Sequence, residues 1–551
     1  MASALVPPGS HPDEEEGSSI PAANEESPNA PAPRLPSPDV ANPGGVDPAT
    51  SARQGPPDAP PEGSPLDRPA THDTLPISAS RQYAVMVLIT LTQLAQMYPY
   101  GAGIGTGLSI AASLHDHTQT SSQLTDPAFA AQIQAAGGWI AASYPSARRL
   151  LAAGCVWWTV WQLGSGFARG LVALCVMRGL SGVGGALMVP NAVAMLGITL
   201  PPGPRRNLAF GMFGAMAPVG AAGGALIASA IVQLAPWKWG FFFAAMLGAV
   251  VFTLALVLLP GDTPVDPAGR IDWIGAYLGV AGLILFNFVW NQAPAVGWPT
   301  PYIYALLLAA LLHLALFVLY ESRVATSPIL PFTIWRAPSF GRMLALVFCS
   351  FMSQGIYLWY TSLFSLTIRH YSLIEAAAHY QPLTLVGTAA AFLSAWLVAR
   401  MPAQYTIAIG NLALVVANTL VATAPRTQSY WAMLFPSIVV ASFAVDFIFA
   451  ASQVIASGSV GRKHQGVAGS LIGTLLTYGL STGLGFAGTV EAYTNDGGQD
   501  VLKGYRNALY LGTALAGMGL TGSLLFLRVP KSTQEGWDEK LEVELEGVRR
   551  P

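Results

Sequence analysis

Apolar stretches, each about as long as a bilayer-crossing helix, alternate with short polar links from residue 84 to residue 527. A helix needs about twenty predominantly apolar residues to cross the hydrocarbon core. Windows of that length mark spans at 84–112, 150–168, 170–199, 207–235, 239–259, 273–291, 302–320, 339–366, 380–399, 404–424, 430–456, 465–490 and 507–527. Several are rich in Gly and Pro, which membrane helices tolerate where they pack closely or bend. The pattern predicts an all-α membrane protein with thirteen clear spans.

Basic residues sharpen that count, because they collect on the cytoplasmic side of short loops. With the N-terminus inside, thirteen strictly alternating spans would put Arg148 and Arg149 outside. One further crossing between residues 113 and 148 corrects this. Arg205, Arg206, Arg270, Arg323, Arg336, Arg342, Arg400, Arg462 and Lys463 then all fall inside, leaving Arg169, Lys238, Arg369, Arg426, Lys503 and Arg506 outside. The material available is 129–144, short and weakened by Gln132, Gln134 and the following Pro145. Fourteen crossings are therefore expected, the second defective or re-entrant.

Composition agrees with a lipid environment. Of 551 residues, 52 % are hydrophobic and only 10 % charged, against roughly a quarter charged in soluble domains. The net charge of −2 suggests no nucleic-acid partner. Cys155, Cys175 and Cys349 lie apart in apolar stretches, which points to packing rather than a disulfide framework or metal site. Residues 1–80 are different material, rich in Pro, Ser, Ala, Gly and acids, with Glu14, Glu15 and Glu16 in a row. Such a segment cannot bury enough apolar surface to offset its ordering entropy, so a disordered cytoplasmic tail is expected. It lacks the pattern of a cleaved signal peptide.

Specific motifs follow. Arg178 stands inside the 170–199 span, followed by Gly182, Gly184 and Gly185. A guanidinium within a span is costly and faces a cavity or partner; the plainer alternative is a side chain snorkelling to the helix end. In the next span Gly211, Gly214, Pro218, Gly220, Gly223 and Gly224 crowd together, so the helix should bend at the proline and meet a neighbour closely. These two stretches resemble the fourth-helix motif and the glycine–proline antiporter motif of the major facilitator superfamily, although Ala217 stands where the latter usually has glycine. Asp272-Trp273-Ile274-Gly275 opens an extra helix pair, as in the fourteen-span drug:proton antiporter branch. Asp446, His464-Gln465-Gly466, Tyr478 to Ser481, Gly488 to Glu491 and Gly504-Tyr505-Arg506 resemble its fungal members, which include efflux pumps and low-affinity ammonium transporters.

The resemblance covers about residues 82–528 and implies a major facilitator fold. Its expected parts are an N-terminal half at 81–260, an inserted pair at 261–322, a C-terminal half at 323–528 and a cytoplasmic tail at 529–551. One departure stands out. Gly138 to Tyr144 is similar to the start of the family's second helix and Arg148-Arg149 to the basic end of its cytoplasmic motif. The helix body and acidic residue between them are missing, as if about twenty residues were lost.

Asp446 is the one acid well inside a span, and intramembrane carboxyls are rare and by default functional. It is the first candidate for proton coupling, with Arg178 as a second charge that tunes it; a structural acid at a helix terminus is the rival reading. Gln93, Gln96, Asn191, Gln354, Tyr357 and Gln453 are uncharged polar groups within spans. Together they suit a cavity for amphipathic organic solutes, although each alone can serve an interhelical hydrogen bond. Neither a catalytic constellation nor a phosphate-binding loop is found, so neither an enzyme nor an ATP-driven pump is expected, and no cofactor or metal.

The resulting expectation is a monomeric, multi-pass secondary transporter that exports small organic molecules against protons, more in keeping with the plasma membrane than the vacuolar one. Uptake or facilitated passage of ammonium or another small cation is the alternative. A non-transporting remnant or sensor, suggested by the short second helix, is a third.

Overall fold

The computed structural model describes residues 78–114, 147–200, 204–260, 272–325, 328, 335, 339–459 and 465–528. The N-terminal tail, the suspected crossing at 129–144 and the C-terminal tail lie outside these residues. Among the described residues all regular structure is helical. Lipid offers no partner to a bare backbone group, so apolar segments close their hydrogen bonds within themselves as helices.

The described residues form fifteen α-helices. The first five are α1 (Ala79–Ser113), α2 (Ala147–Gly166), α3 (Leu171–Thr199), α4 (Pro204–Leu234) and α5 (Lys238–Leu258). A hairpin of α6 (Trp273–Val296) and α7 (Pro301–Arg323) comes next. The remainder are α8 (Phe340–Leu363), α9 (Leu373–His379), α10 (Gln381–Val398), α11 (Ala403–Thr423), α12 (Leu434–Ala441), α13 (Ala444–Gly458), α14 (Gln465–Thr494) and α15 (Val501–Phe526). Caps mark several starts: Asp272 accepts from the Gly275 N–H at 2.8 Å, Ser372 from Glu375 and Asp500 from Lys503.

Every span expected from the apolar pattern contains helix, with two refinements. The 430–456 stretch is two helices, α12 and α13, separated at Ser442-Phe443, and the 380–399 stretch extends backward through α9. Among the described residues, eleven spans are long and apolar enough to cross a membrane by length and composition. Helices α1 and α2 fall outside that set because Gln93, Gln96 and several glycines dilute α1, while Arg148, Arg149 and Gln162 dilute α2.

Helices α1 to α5 pack together, with α1 along α4 and α2 between α3 and α5. Helices α8 to α15 form a second group, in which α11 runs along α15 and α14 along α8. The two groups meet where α4 packs on α9 and α10. In the hairpin, α6 is fastened to α14: the Asn287 amide donates to Ser481 at 2.7 Å and to Thr482 at 3.2 Å, Asn291 bonds Asn287, and Trp290 stacks on Phe486 at 3.8 Å. Helix α7 instead turns Leu308, Leu312 and Leu319 outward.

Inner and outer ends are named here by the orientation expected from the basic residues, with α1 starting inside. At the outer end one core joins both groups: Tyr100, Ile104 and Leu108 of α1 and Ala222 of α4 pack with Trp359, Tyr360, Leu363, Tyr380 and Tyr430. At the inner end the cores separate. One holds α1, α4 and α5 residues such as Val85, Leu88, Ala209 and Val251. The other holds Phe340, Val347, Ile407, Ile455 and Ile472.

Candidate functional site

Below the shared outer core the two groups keep separate buried cores and touch through α4 and α10. On α1 the residues facing α8 recur every three or four positions, a spacing that returns to one helix face. Gly107 lies beneath the Trp359 ring, and the Ile104 carbonyl accepts from the Ser362 hydroxyl at 3.1 Å. Tyr100 joins the same core. Gln93, two turns further in, continues that stripe below the seal.

Gln93, Gln96 and Gln354 are buried, and each leaves its amide oxygen without a hydrogen-bond partner in the protein. A buried acceptor with no donor is costly unless water or a ligand meets it. Gln96 rests on Gly185 of α3, where any side chain would collide with its amide. The other polar candidates are used within the protein. Asn191 donates to the Leu187 carbonyl at 2.7 Å, Tyr357 shares a hydrogen bond with Ser437 at 2.9 Å and Gln453 donates to Gly469 at 3.0 Å. These three have partners within the protein, whereas the three glutamine oxygens do not.

Arg178 is 5 % exposed, so it does not snorkel to the helix end. Its guanidinium donates to the Pro99 carbonyl at 3.2 Å and lies 5.6 Å from the centre of the Phe241 ring. Pro99 sits mid-helix in α1. Tyr98, which donates to the Gly240 carbonyl at 3.1 Å, and Gln162 line the same narrow cavity. Arg178 thus ties α3 to α1 and α5, within the first group.

The glycine–proline stretch of α4 divides among three directions. A Cβ on Gly220 would meet Met97 at 2.7 Å, and one on Gly224 the Tyr98 carbonyl at 2.8 Å, so both glycines admit α1. From the other side, Gly101 of α1 presses on the Ala221 backbone. Pro218 faces Gly387 of α10 in the second group, where a Cβ on Gly387 would sit 2.9 Å from it. Gly214 and Gly223 border open space.

Asp446 lies half-buried in the first turn of α13, just after the break that ends α12. First turns are where a carboxylate interacts favourably with the helix macrodipole, and broken helices near the midplane are frequent sites of transport chemistry. Asp446 belongs to the second group of helices and Arg178 to the first, so the two proton-coupling candidates stand apart.

A second carboxyl carries more geometry than its sequence position suggested. The Tyr360 hydroxyl donates to Glu491 at 2.7 Å, and Tyr505 packs edge-on against Tyr360 at 5.6 Å. Glu491 falls three residues before the end of α14, and by sequence it belonged only to a family motif; a helix-end acid reads as interfacial. The partner that gives it meaning lies 131 residues away.

The Major Facilitator Superfamily pattern matches residues 86–486. Efflux pump terJ of Aspergillus terreus is 34 % identical over 466 residues, covering 82 % of this chain and 89 % of that protein. The low affinity ammonium transporter of Saccharomyces cerevisiae is 38 % identical over 386 residues, covering 68 % and 74 %. Among solved structures, an inward-facing bacterial homologue of the human lysosomal transporter Spinster superposes with a TM-score of 0.55 at 17 % identity, covering 82 % of this chain and 97 % of that one. The chain therefore belongs to the Major Facilitator Superfamily, a family of transporters and not of enzymes, and is a multi-pass membrane transporter whose relatives include fungal efflux pumps.

Proposed function

We propose that the protein exports small amphipathic organic molecules in exchange for protons. The observation that carries this reading is the pair of ends: one shared core seals the outer end, while the cores at the inner end are separate. That arrangement suits an inward-facing state loaded from the cytoplasm. Gln93, Gln96 and Gln354 supply acceptors for a solute with a few polar groups, and aromatic side chains suit its apolar body.

In this reading the halves at 81–260 and 323–528 rock about the α4 contact, the pair at 261–322 rides with the second half, and Asp446 exchanges the coupling proton. The protein works as a monomer in the plasma membrane. A relative named for efflux supports export. A relative named for ammonium supports a second reading, passage of a small cation.

Flux in reconstituted vesicles under an imposed pH gradient tests both. Fluorescent amphipathic solutes should move against their gradient only when the pH gradient is present, and Asp446→Asn should abolish that movement. Ammonium flux that follows membrane potential, with no organic solute moved, overturns export in favour of the second reading. Proton-coupled flux that persists in Asp446→Asn removes Asp446 from its role.

A further inference from the structure

The outer end of α8 touches both halves within one turn. Ser362 donates to the Ile104 carbonyl and Trp359 covers Gly107, so this turn forms the seal against α1. Tyr360, between them, points the other way and donates to Glu491 of α14 at 2.7 Å. Directly beyond, Phe364–Ile368 widens into a π-helical turn, an irregularity frequent at functional sites. Thr367 in that turn donates to the Tyr505 hydroxyl at 3.3 Å, and Tyr505 packs on Tyr360. Seal, π-helical turn and carboxyl are thus joined through two tyrosines.

The surroundings of Glu491 are short of charge. Helix α8 presents Tyr360, and α15 presents Tyr505 and Gly504, where a Cβ would lie 3.1 Å from Glu491. One turn earlier α6 presents Pro294 against Gly488. The nearby basic side chains are turned elsewhere: Lys503 pairs with Asp496 at 2.9 Å, Arg506 donates to the Ala424 carbonyl and Arg369 to that of Pro425.

We propose that Glu491 is a positioning residue for the outer seal: with a proton bound it lets α8 close on α1, and ionised it favours the open seal. The proposal rests on the alternation of inner and outer openings in the reading above. Closing withdraws Glu491 from water and gives it one phenol donor. An ionised carboxylate has about four acceptor sites to satisfy, and losing their water is far costlier than for a neutral acid. The proton comes from external water and returns to it when the seal reopens, so Glu491 sets the position of the gate while the transported proton is handled elsewhere.

The test places a reporter in the seal. Gly107→Cys adds little bulk, since its Cβ would lie 3.8 Å from Trp359. In outside-out vesicles of the full chain, labelling by a membrane-impermeant maleimide is compared with the chain lacking that cysteine. Labelling at each pH is divided by that of the same cysteine in the SDS-unfolded chain, so that the thiolate fraction cancels; this ratio should fall at least about threefold as external pH drops from about 8 to about 5. With Glu491→Gln added it should be low and flat, and with Glu491→Asp the pH dependence should return. An unchanged pH profile in Glu491→Gln, or a flat profile in the parent, overturns the proposal. Flux on the same vesicles separates the two readings. Proton-driven transport with flat labelling rejects the seal role alone, whereas the predicted labelling without proton-driven transport rejects export alone.

Discussion

Helix α4 meets a different kind of surface on each side. Toward α1 the contact is backbone on backbone: Gly220 and Gly224 of α4 and Gly101 of α1 leave no room for side chains. Toward α10 it is made by side chains, with Pro218 against Gly387, Phe392 over Gly211 and one hydrogen bond from Gln381 to the Ala222 carbonyl at 3.0 Å. Backbone contact of the first kind has many close, rigid partners and no alternative arrangement. Side chains of the second kind can part and meet again at modest cost. In the rocking cycle proposed above, the same glycine-rich helix would serve as a fixed joint within one half and a separable joint between halves.

The comparison breaks most readily at the fixed joint. Gly224→Leu drives a branched side chain into the Tyr98 carbonyl, already only 2.8 Å from a bare Cβ. We expect loss of folded, monodisperse protein on size-exclusion in detergent, beyond the ~1–3 kcal/mol of ordinary overpacking. A variant that elutes and melts like the parent would show that this joint is softer than its geometry. At the separable joint, Gly387→Leu should leave a folded protein but slow flux about tenfold, a barrier change of ~1.4 kcal/mol, by wedging against Pro218. Equal losses of folding for both substitutions would erase the distinction. The smallest effect is expected away from both faces. Asn287→Ala removes the hydrogen bonds to Ser481 and Thr482, and interhelical bonds in membranes average ~0.6 kcal/mol. It should lower the melting temperature slightly without altering flux, because Trp290 on Phe486 still holds the hairpin to α14; a flux defect would show that these hydrogen bonds themselves carry the coupling.

Much of the fold was legible because lipid makes a simple demand on sequence: each crossing is an apolar run of fixed length, and all thirteen runs contain helix. The break at Ser442-Phe443 was not, since no proline or glycine marks it. The site was less legible, because side-chain role depends on which helix face meets which neighbour. Gly220, Gly223 and Gly224 read as one motif, yet Gly223 borders open space while the others touch α1. Asn191 and Gln93 look alike in sequence, but Asn191 bonds its own helix and the Gln93 oxygen meets no protein donor. Arg178 was recognisable as buried because no other part of a span could hold a guanidinium without a partner. Glu491 was hidden by its position near a helix end, where only the distant Tyr360 distinguishes it.

The fastening of α6 along α14 has a mechanical corollary. Since α7 is carried by α6 and turns its leucines to the acyl chains, any tilt of α14 sweeps a lipid-coated paddle sideways through the membrane. In the rocking cycle proposed above, viscous drag on that paddle grows with chain order, so the rate of rocking follows the fluidity of the surrounding bilayer.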